Sequence, residues 1–160
     1  MNILIRSWGA KDIPAIAELM ATHPLWNRYG VTPASALARV TSLHQKGELG
    51  FVAEGPDKPV GFALFNAMTF GGDGYIRLFG VDKNCTSAGI GPRLLAAVET
   101  HLRSIRVKRL VLLCAHWNEG ARRFYERHGF ILAGCLPNWV IDGTDELLYA
   151  KRLTPSCPAE

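Results

Sequence analysis

The chain changes from strand to helix in the segment Val81-Asp-Lys-Asn-Cys-Thr-Ser-Ala-Gly-Ile-Gly91. Residues 75–81 are typical of a strand, and the apolar residues after Gly91 recur at helical spacing, at Leu94, Leu95, Val98 and Leu102. Small side chains around Gly89 leave backbone N–H groups exposed, and a helix start adds unpaired donors and the positive end of the helix dipole. The segment therefore predicts a binding site for phosphate oxygens; glycines that serve only a tight turn are the alternative.

An apolar run follows the predicted helix at residues 110–114. It suits a strand buried on both faces of a partly parallel sheet. Strand, helix and strand then form a β-α-β crossover, for which a right-handed connection is strongly expected. The sequence contains no G-x-x-x-x-G-K-[ST] and no G-x-G-x-x-G after its first strand, which excludes a P-loop and an ordinary dinucleotide-binding site.

The remaining segments predict an α/β fold with a mixed sheet and the order β-α-α-β-β-β-α-β-α-β-β. Asp12 is expected to cap the first helix, which ends near His23. Thr32 is expected to cap the second, which ends at Gly47 and shares one face among Leu37, Val40 and His44. The other predicted strands are residues 2–7, 49–54, 60–68, 130–140 and 146–153, the last two joined by a turn at Asp142-Gly143.

The composition is that of one globular domain, residues 1–160. Of these residues 48% are apolar and 20% are charged, which excludes intrinsic disorder. The net charge of +4 indicates no nucleic-acid partner, and no apolar run approaches the ~20 residues that cross a membrane. Without a C-x-x-C pair or a signal-peptide pattern, the sequence predicts a cytoplasmic protein with four free thiols, namely Cys85, Cys114, Cys135 and Cys157.

A second informative segment, residues 118–130, reads Asn-Glu-Gly-Ala-Arg-Arg-Phe-Tyr-Glu-Arg-His-Gly-Phe. Asn118 is expected to cap a helix and Gly129 to end it. Core packing alone would explain Ala121 and Phe124. A buried tyrosine hydroxyl needs a polar partner, so Tyr125 is expected to point at one.

Together the two segments resemble motifs of the GCN5-related N-acetyltransferase (GNAT) family. The family's loop is written Q/R-x-x-G-x-G/A, and here it reads Thr86-Ser-Ala-Gly-Ile-Gly91, with Thr86 in place of the usual Arg or Gln. The family's N-x-x-A-x-x-F-Y-x-x-x-G-F is matched at Asn118, Ala121, Phe124, Tyr125, Gly129 and Phe130. The resemblance covers essentially the whole chain and implies a mixed, splayed central β-sheet flanked by helices on both faces.

The resemblance also implies a reaction and the residues that would bind the co-substrate and catalyse the transfer. Acetyl-CoA would be the co-substrate, with no metal, and the amine would attack the thioester directly through a tetrahedral intermediate. Tyr125 would be the catalytic residue, protonating the leaving thiolate, and a backbone N–H, with that of Val81 as the candidate, would stabilise the oxyanion. The cofactor-binding residues would be Phe79, Gly80, Val81 and Asn118 for the pantetheine, and Thr86, Ser87, Ala88, Gly89, Ile90 and Gly91 for the pyrophosphate.

Several roles stay open on the sequence. The general base could be His116 or a water chain, with Glu119 and Asp82 as weaker candidates, and Arg93 and Arg122 are the best candidates for phosphate contact. In such a fold, the residues expected around the binding site of the acceptor amine are Trp26, Tyr29, Phe70, Trp139, Asp142, Asp145 and Glu146. We expect a small-molecule amine as acceptor. The alternatives are a non-catalytic CoA-binding sensor or partner module and a peptide or protein N-acetyltransferase, and a homodimer is possible.

Overall fold

The computed structural model describes residues 3–69 and 71–153. These residues form two compact units, one comprising residues 3–65 and 78–100, the other residues 66–69, 71–77 and 101–153. The assignment of residues 1–160 to a single domain stays a prediction.

The described strands form one mixed sheet of seven, flanked by helices, as predicted. The strands are β1 (Leu4–Ser7), β2 (Leu49–Glu54), β3 (Pro59–Thr69), β4 (Asp73–Val81), β5 (Arg109–Ala115), β6 (Ile131–Leu136) and β7 (Glu146–Arg152), in the order β1-β2-β3-β4-β5-β7-β6. The helices are α1 (Ile13–Thr22), α2 (Pro24–Arg28), α3 (Pro33–Gln45), α4 (Ile90–Ser104) and α5 (Glu119–Arg127). Short 3₁₀ segments at Ala10–Asp12 and Lys83–Ala88, and the helix α2, were not expected from the sequence.

In the first unit, β1, β2 and β3 are antiparallel neighbours, and apolar side chains of β2 and β3 pack with those of α1 and α3. The predicted face of α3 is wrong in one position, because Leu37 is 47% exposed. The buried residues are Ala36, Val40 and Leu43, and His44 instead packs its ring edge-on to Trp8. The cap at Thr32 is confirmed, since its hydroxyl accepts a hydrogen bond from the Ser35 N–H at 3.1 Å.

The predicted cap at Asp12 is also wrong. Its carboxylate does not bond to the free N–H groups of α1 but accepts hydrogen bonds from the Gly9 N–H and from both terminal nitrogens of the Arg6 guanidinium. The Arg6 Nε also donates to the Glu54 carboxylate. A charged partner from β1 therefore overrides the local preference of an Asp side chain for the start of a helix.

In the second unit, β5 is paired on both sides. It lies parallel to β4, with pairs from Gly74↔Leu110 to Ile76↔Leu112, and antiparallel to β7, with pairs from Arg109↔Arg152 to Ala115↔Glu146. This confirms the β-α-β arrangement read from the apolar run. The strand predicted over residues 130–140 is too long, because β6 ends at Leu136 and the chain then turns, with a positive φ at Asn138.

No described helix is both long and apolar enough to cross a lipid bilayer. Cys85, Cys114 and Cys135 are free thiols, as expected. Cys157 lies outside the described residues.

Candidate active site

The predicted phosphate-binding segment is a 3₁₀ helix followed by a left-handed glycine. Asp82 starts it, its carboxylate accepting from the Asn84 N–H at 2.8 Å while its own N–H donates to the Val60 carbonyl at 2.8 Å. The 3₁₀ helix ends at Ala88, Gly89 has φ +68°, and α4 begins at Ile90. Glycine is required at position 89 because other L-residues adopt that φ only under strain.

The exposure of this segment fits an anion-binding role. Thr86, Ala88 and Gly89 are exposed, and the Ser87 backbone belongs to the same turn. The Thr86 hydroxyl lies 3.5 Å from the Lys83 carbonyl oxygen, so it faces the turn itself. Ile90 is fully buried and anchors the start of α4, a helix of 15 residues whose dipole is positive at this end.

The end of β4 carries Phe79, Gly80 and Val81, the predicted pantetheine-binding residues. A side chain at Gly80 would place its Cβ 2.4 Å from the Trp26 ring and 3.1 Å from the Phe62 ring. Trp26 stacks on Phe62, with ring centroids 5.6 Å apart, and is 7% exposed. The close approach of α2 thus explains the glycine, and Trp26, predicted on the acceptor side, belongs to the core.

Gly80→Ala is expected to destabilise the protein by about 1–3 kcal/mol, because the new methyl group overpacks the Trp26 contact. Urea unfolding measures the change. Gly120→Ala is the matched control, since nothing lies within 4 Å of a Cβ there and the residue is helical; it should stabilise by about 0.5–1 kcal/mol. A Gly80→Ala variant as stable as the wild type would refute the packing argument. In a Trp26→Leu background, where the contacted ring is absent, the additional cost of Gly80→Ala should be smaller.

In the second unit, α5 begins and ends as predicted. The Asn118 side-chain oxygen accepts from the Ala121 N–H at 3.2 Å, and Gly129 ends the helix with φ +87°. The Asn118 backbone N–H also donates to the Ala115 carbonyl at 2.9 Å, which ties the start of α5 to the end of β5.

Tyr125 lies on the inner face of α5 and is 7% exposed. Its ring meets those of Phe124 and Phe130 edge-on, with centroids 5.2 and 5.5 Å away. Burial, and secondarily Cys114, raises the pKa of Tyr125 well above its ordinary value. The phenol is therefore protonated at neutral pH and can act as a proton donor but not as a base.

The Cys114 thiol is also buried, and burial again raises the pKa. Burial, with a smaller contribution from Glu146, raises the pKa of the thiol to about 12. Its Sγ lies 3.7 Å from the Ala115 carbonyl oxygen and 3.9 Å from that of Asn118. A buried neutral thiol is a poor nucleophile, so Cys114 is not suited to form a covalent enzyme intermediate.

A polar cluster that no sequence motif indicated holds α5 in place. The hydroxyl of Tyr149, a fully buried residue of β7, donates to the Glu126 carboxylate at 2.8 Å. The Arg122 Nε lies 3.4 Å from the same hydroxyl, and its Nη1 donates to the His116 carbonyl at 3.0 Å. Arg122, predicted to contact phosphate, is thus engaged within the protein, and so is Arg93, whose Nη2 donates to the Ile3 carbonyl at 2.6 Å.

His116 is tied to the loop before β7. Its N–H donates to the Asp145 carbonyl at 2.9 Å, and its Nδ1 accepts from the Asp145 N–H at 3.2 Å. The same Nδ1 lies 3.3 Å from the Asp145 carbonyl oxygen. A neutral ring can therefore accept from the Asp145 N–H with its proton on Nε2, or donate to the Asp145 carbonyl and leave Nε2 as an acceptor. His116 and a water chain both stay candidates for the general base.

The other predicted acceptor-side residues differ in their exposure. Glu146 is buried at the start of β7, and the Asp145 carboxylate accepts from the Asn138 N–H at 3.1 Å. Asp142 and Trp139 are exposed, Tyr29 is half-buried after α2, and Phe70 lies outside the described residues. Among residues 3–69 and 71–153, no group of His, Cys, Asp and Glu side chains could hold a metal ion.

Comparison with known proteins gives concordant matches. The model of the acetyltransferase (GNAT) family matches residues 14–130. An uncharacterised N-acetyltransferase of Methanocaldococcus jannaschii is 31% identical over 151 residues, 94% of this chain and 92% of that protein. N-alpha-acetyltransferase 30 of Schizosaccharomyces pombe is 30% identical over 110 residues, 67% of this chain and 73% of that protein.

The fold agrees with these matches. The crystal structure of Ard1 from Thermoplasma volcanium superposes with a TM-score of 0.83 at 24% identity, covering 97% of this chain and all of that one. At this identity the superposition establishes the shared fold, while the sequence matches establish the relationship. The chain belongs to the GNAT family of acetyltransferases.

Proposed function

We propose that this protein transfers the acetyl group of acetyl-CoA to a primary amine by direct attack of the amine. The observation that carries the proposal is the protonated, buried phenol of Tyr125 on a helix whose motif and cap match the family pattern. Acetyl-CoA supplies an activated thioester and a thiolate leaving group.

The backbone at the start of α4 fits the pyrophosphate of this co-substrate. The segment Thr86, Ser87, Ala88, Gly89, Ile90 and Gly91 combines exposed backbone with the positive end of a helix dipole, so it suits an anion without a side-chain cation. Backbone amides therefore take over from the Arg or Gln that Thr86 replaces. Phe79, Gly80 and Val81 bind the pantetheine by backbone hydrogen bonds, and Asn118 contributes its remaining amide donors.

The proton transfers follow from the pKa of each group. The Val81 N–H stabilises negative charge on the thioester oxygen. As the carbon–sulfur bond breaks, the Tyr125 hydroxyl donates to the leaving sulfur, since burial keeps the phenol protonated. The proton that the amine loses restores the phenol, so the products are the acetylated amine and the free CoA thiol. The proton of the attacking amine passes to Nε2 of His116, which is an acceptor when Nδ1–H donates to the Asp145 carbonyl, or to a water chain.

Two acceptor classes are proposed in order. A small-molecule amine is the first, supported by the exposed carboxylate of Asp142 and the exposed ring of Trp139, which can attract and cover a cationic group. The α-amine of a peptide is the second, favoured by the 30% identity to N-alpha-acetyltransferase 30 of Schizosaccharomyces pombe.

An acceptor screen tests the proposal. Isothermal titration first measures acetyl-CoA binding, and thiol release is then followed over small amines, aminoglycosides and peptides with different first residues. The matched control for each peptide is the same peptide with a blocked N-terminus. We expect release above background with at least one small-amine class. Peptides that outcompete free amines would select the second candidate, and binding without release from any acceptor would indicate a CoA sensor.

A further inference from the structure

His23 joins α1 to α2. Its backbone N–H donates to the Met20 carbonyl near the end of α1, and its carbonyl accepts from the Asn27 N–H in α2. Its ring caps α2, because Nδ1 accepts from the Leu25 N–H at 3.1 Å. Pro24 has no N–H, so Leu25 is the first residue of α2 that offers one, and the His23 ring satisfies it.

The imidazole can hold this cap only while it is neutral. A backbone N–H always donates, so Nδ1 carries the lone pair and the ring proton lies on Nε2, whereas a protonated ring has no acceptor. Burial lowers the pKa of His23, an effect that the charge of Asp82 opposes and that of Lys83 reinforces. The cap is therefore present above the ordinary histidine pKa of about 6.5 and is lost as the pH falls through the lowered value.

The ring of His23 is also the first in a row of contacts that leads to β4. Helix α2 has five residues, so its single turn provides few backbone hydrogen bonds and depends on the cap. Its Trp26 ring lies edge-on to the His23 ring, with centroids 5.3 Å apart, and stacks on Phe62. The same Trp26 ring covers Gly80 so closely that a Cβ there would clash with it. His23, Trp26 and the end of β4 thus form one continuous contact within the first unit.

We propose that His23 is a positioning residue for the co-substrate, holding Trp26 against Gly80 and so keeping the end of β4 in the conformation that binds the pantetheine. The inference rests on the proposed function, in which Phe79, Gly80 and Val81 bind that arm. A neutral ring fixes α2. A protonated ring releases it, and its charge lies unfavourably at the start of a helix. Binding of acetyl-CoA should therefore weaken on acidification through His23.

Hydrogen exchange, measured by mass spectrometry, tests the contact without reference to acetyl-CoA. His23→Ala removes the cap, whereas His23→Asn keeps an acceptor that favours helix starts and does not titrate. At pH 7.5 the backbone amides of residues 78–82 should exchange at least about tenfold faster in His23→Ala than in wild type, and His23→Asn should restore most of the protection. Circular dichroism checks that both variants fold. Equal protection in all three proteins would overturn the proposal.

Isothermal titration with acetyl-CoA at pH 7.5 and pH 5.0 tests the link to binding. The affinity of wild type should fall at least about fivefold more than that of His23→Asn, because only the wild-type cap is lost on protonation. The phosphates of acetyl-CoA titrate alike with both proteins, so the difference reports on His23. His44→Asn is the control, since His44 is a second half-buried histidine beside a tryptophan in the same unit, and it should behave as wild type.

The two measurements separate this proposal from the proposed function. An equal fall in affinity for wild type and His23→Asn would overturn the role of His23 while leaving acetyl-CoA binding in place. A wild type that binds no acetyl-CoA at either pH would contradict the proposed function and, with it, a role of His23 in binding. The exchange rates of residues 78–82 would then still decide whether the His23 ring holds the end of β4.

Discussion

Tyr125→Phe is expected to lower kcat by at least about tenfold and to leave the affinity for acetyl-CoA almost unchanged. The substitution removes only the hydroxyl, because the phenylalanine ring keeps the edge-on contacts with Phe124 and Phe130. What is lost is the proton offered to the leaving thiolate. Thiol release at saturating substrates measures kcat, and isothermal titration measures the dissociation constant of acetyl-CoA. Unchanged turnover would remove Tyr125 from the acid role.

Tyr149→Phe is the matched control for this experiment. It removes a second buried hydroxyl from the same unit, at a cost of about 1–3 kcal/mol of stability because a hydrogen bond to Glu126 is lost. Its effect on kcat should be smaller than that of Tyr125→Phe. Equal losses from both variants would show that the hydroxyls act through packing of α5 rather than through proton transfer.

The pH dependence gives a separate test of the same role. The pKa of Tyr125 is raised above the ordinary tyrosine value of about 10. The phenol therefore stays protonated through pH 7–9, and kcat should not fall there because of this group. A loss of kcat in that range that Tyr125→Phe abolishes would contradict a raised pKa.

Local sequence signals predicted much of the fold. The bounds of β2 are confirmed because Gly47, with φ +74°, and the turn at Gly55 interrupt the chain on both sides. The stripe of α4 is confirmed because Leu94, Leu95, Val98 and Leu102 are all buried. In each case the decisive information lies within one or two turns of the residues concerned.

The sequence-based predictions fail where a residue distant in sequence determines the local structure. Asp12 satisfies the local rule for a helix cap, yet Arg6 on β1 takes its carboxylate. The apolar residues after Leu136 continue a strand-like pattern, but the chain leaves the sheet at a turn where Asn138 adopts a positive φ and its side chain accepts from the Gly143 N–H. Neither partner can be read from a window of neighbouring residues.

Among the residues of the candidate site, some are determined by local rules and others by contacts with residues distant in sequence. Asn118, Gly129 and Gly89 could be predicted because capping and positive φ are local requirements. The cluster of Arg122, Glu126 and Tyr149 could not, because Tyr149 lies 27 and 23 positions from the other two and meets them through the packing of α5 on β7. Sequence patterns thus indicate where a helix is capped and where the chain turns, but not which distant side chains hold these elements together.

Arg6→Ala is expected to destabilise the protein by about 3–5 kcal/mol, the largest stability change among these substitutions. Asp12 is 2% exposed, and Arg6 holds both of its oxygens at 2.8 and 2.9 Å. Removing the guanidinium leaves a buried carboxylate with one backbone donor, Gly9 N–H. For a chain of this size the loss corresponds to a fall of roughly 6–20 °C in Tm, which calorimetry measures.

The sign of the pH dependence distinguishes this buried pair from a general loss of packing. Burial by itself would raise the pKa of Asp12, but the hydrogen bonds from Arg6 and Gly9 outweigh it and the pKa is lowered. The contribution of the pair is thus present above the unfolded pKa of about 3.9 and is lost as the pH falls through the folded value. The difference in free energy of unfolding between wild type and Arg6→Ala should therefore be largest near pH 7 and shrink on acidification.

Lys58→Ala, which breaks the exposed pair with Glu18, is the control and should cost about 0–1 kcal/mol. A gap for Arg6→Ala that stays constant from pH 7 to pH 3 would mean that the side chain stabilises through its methylene groups and not through its charge.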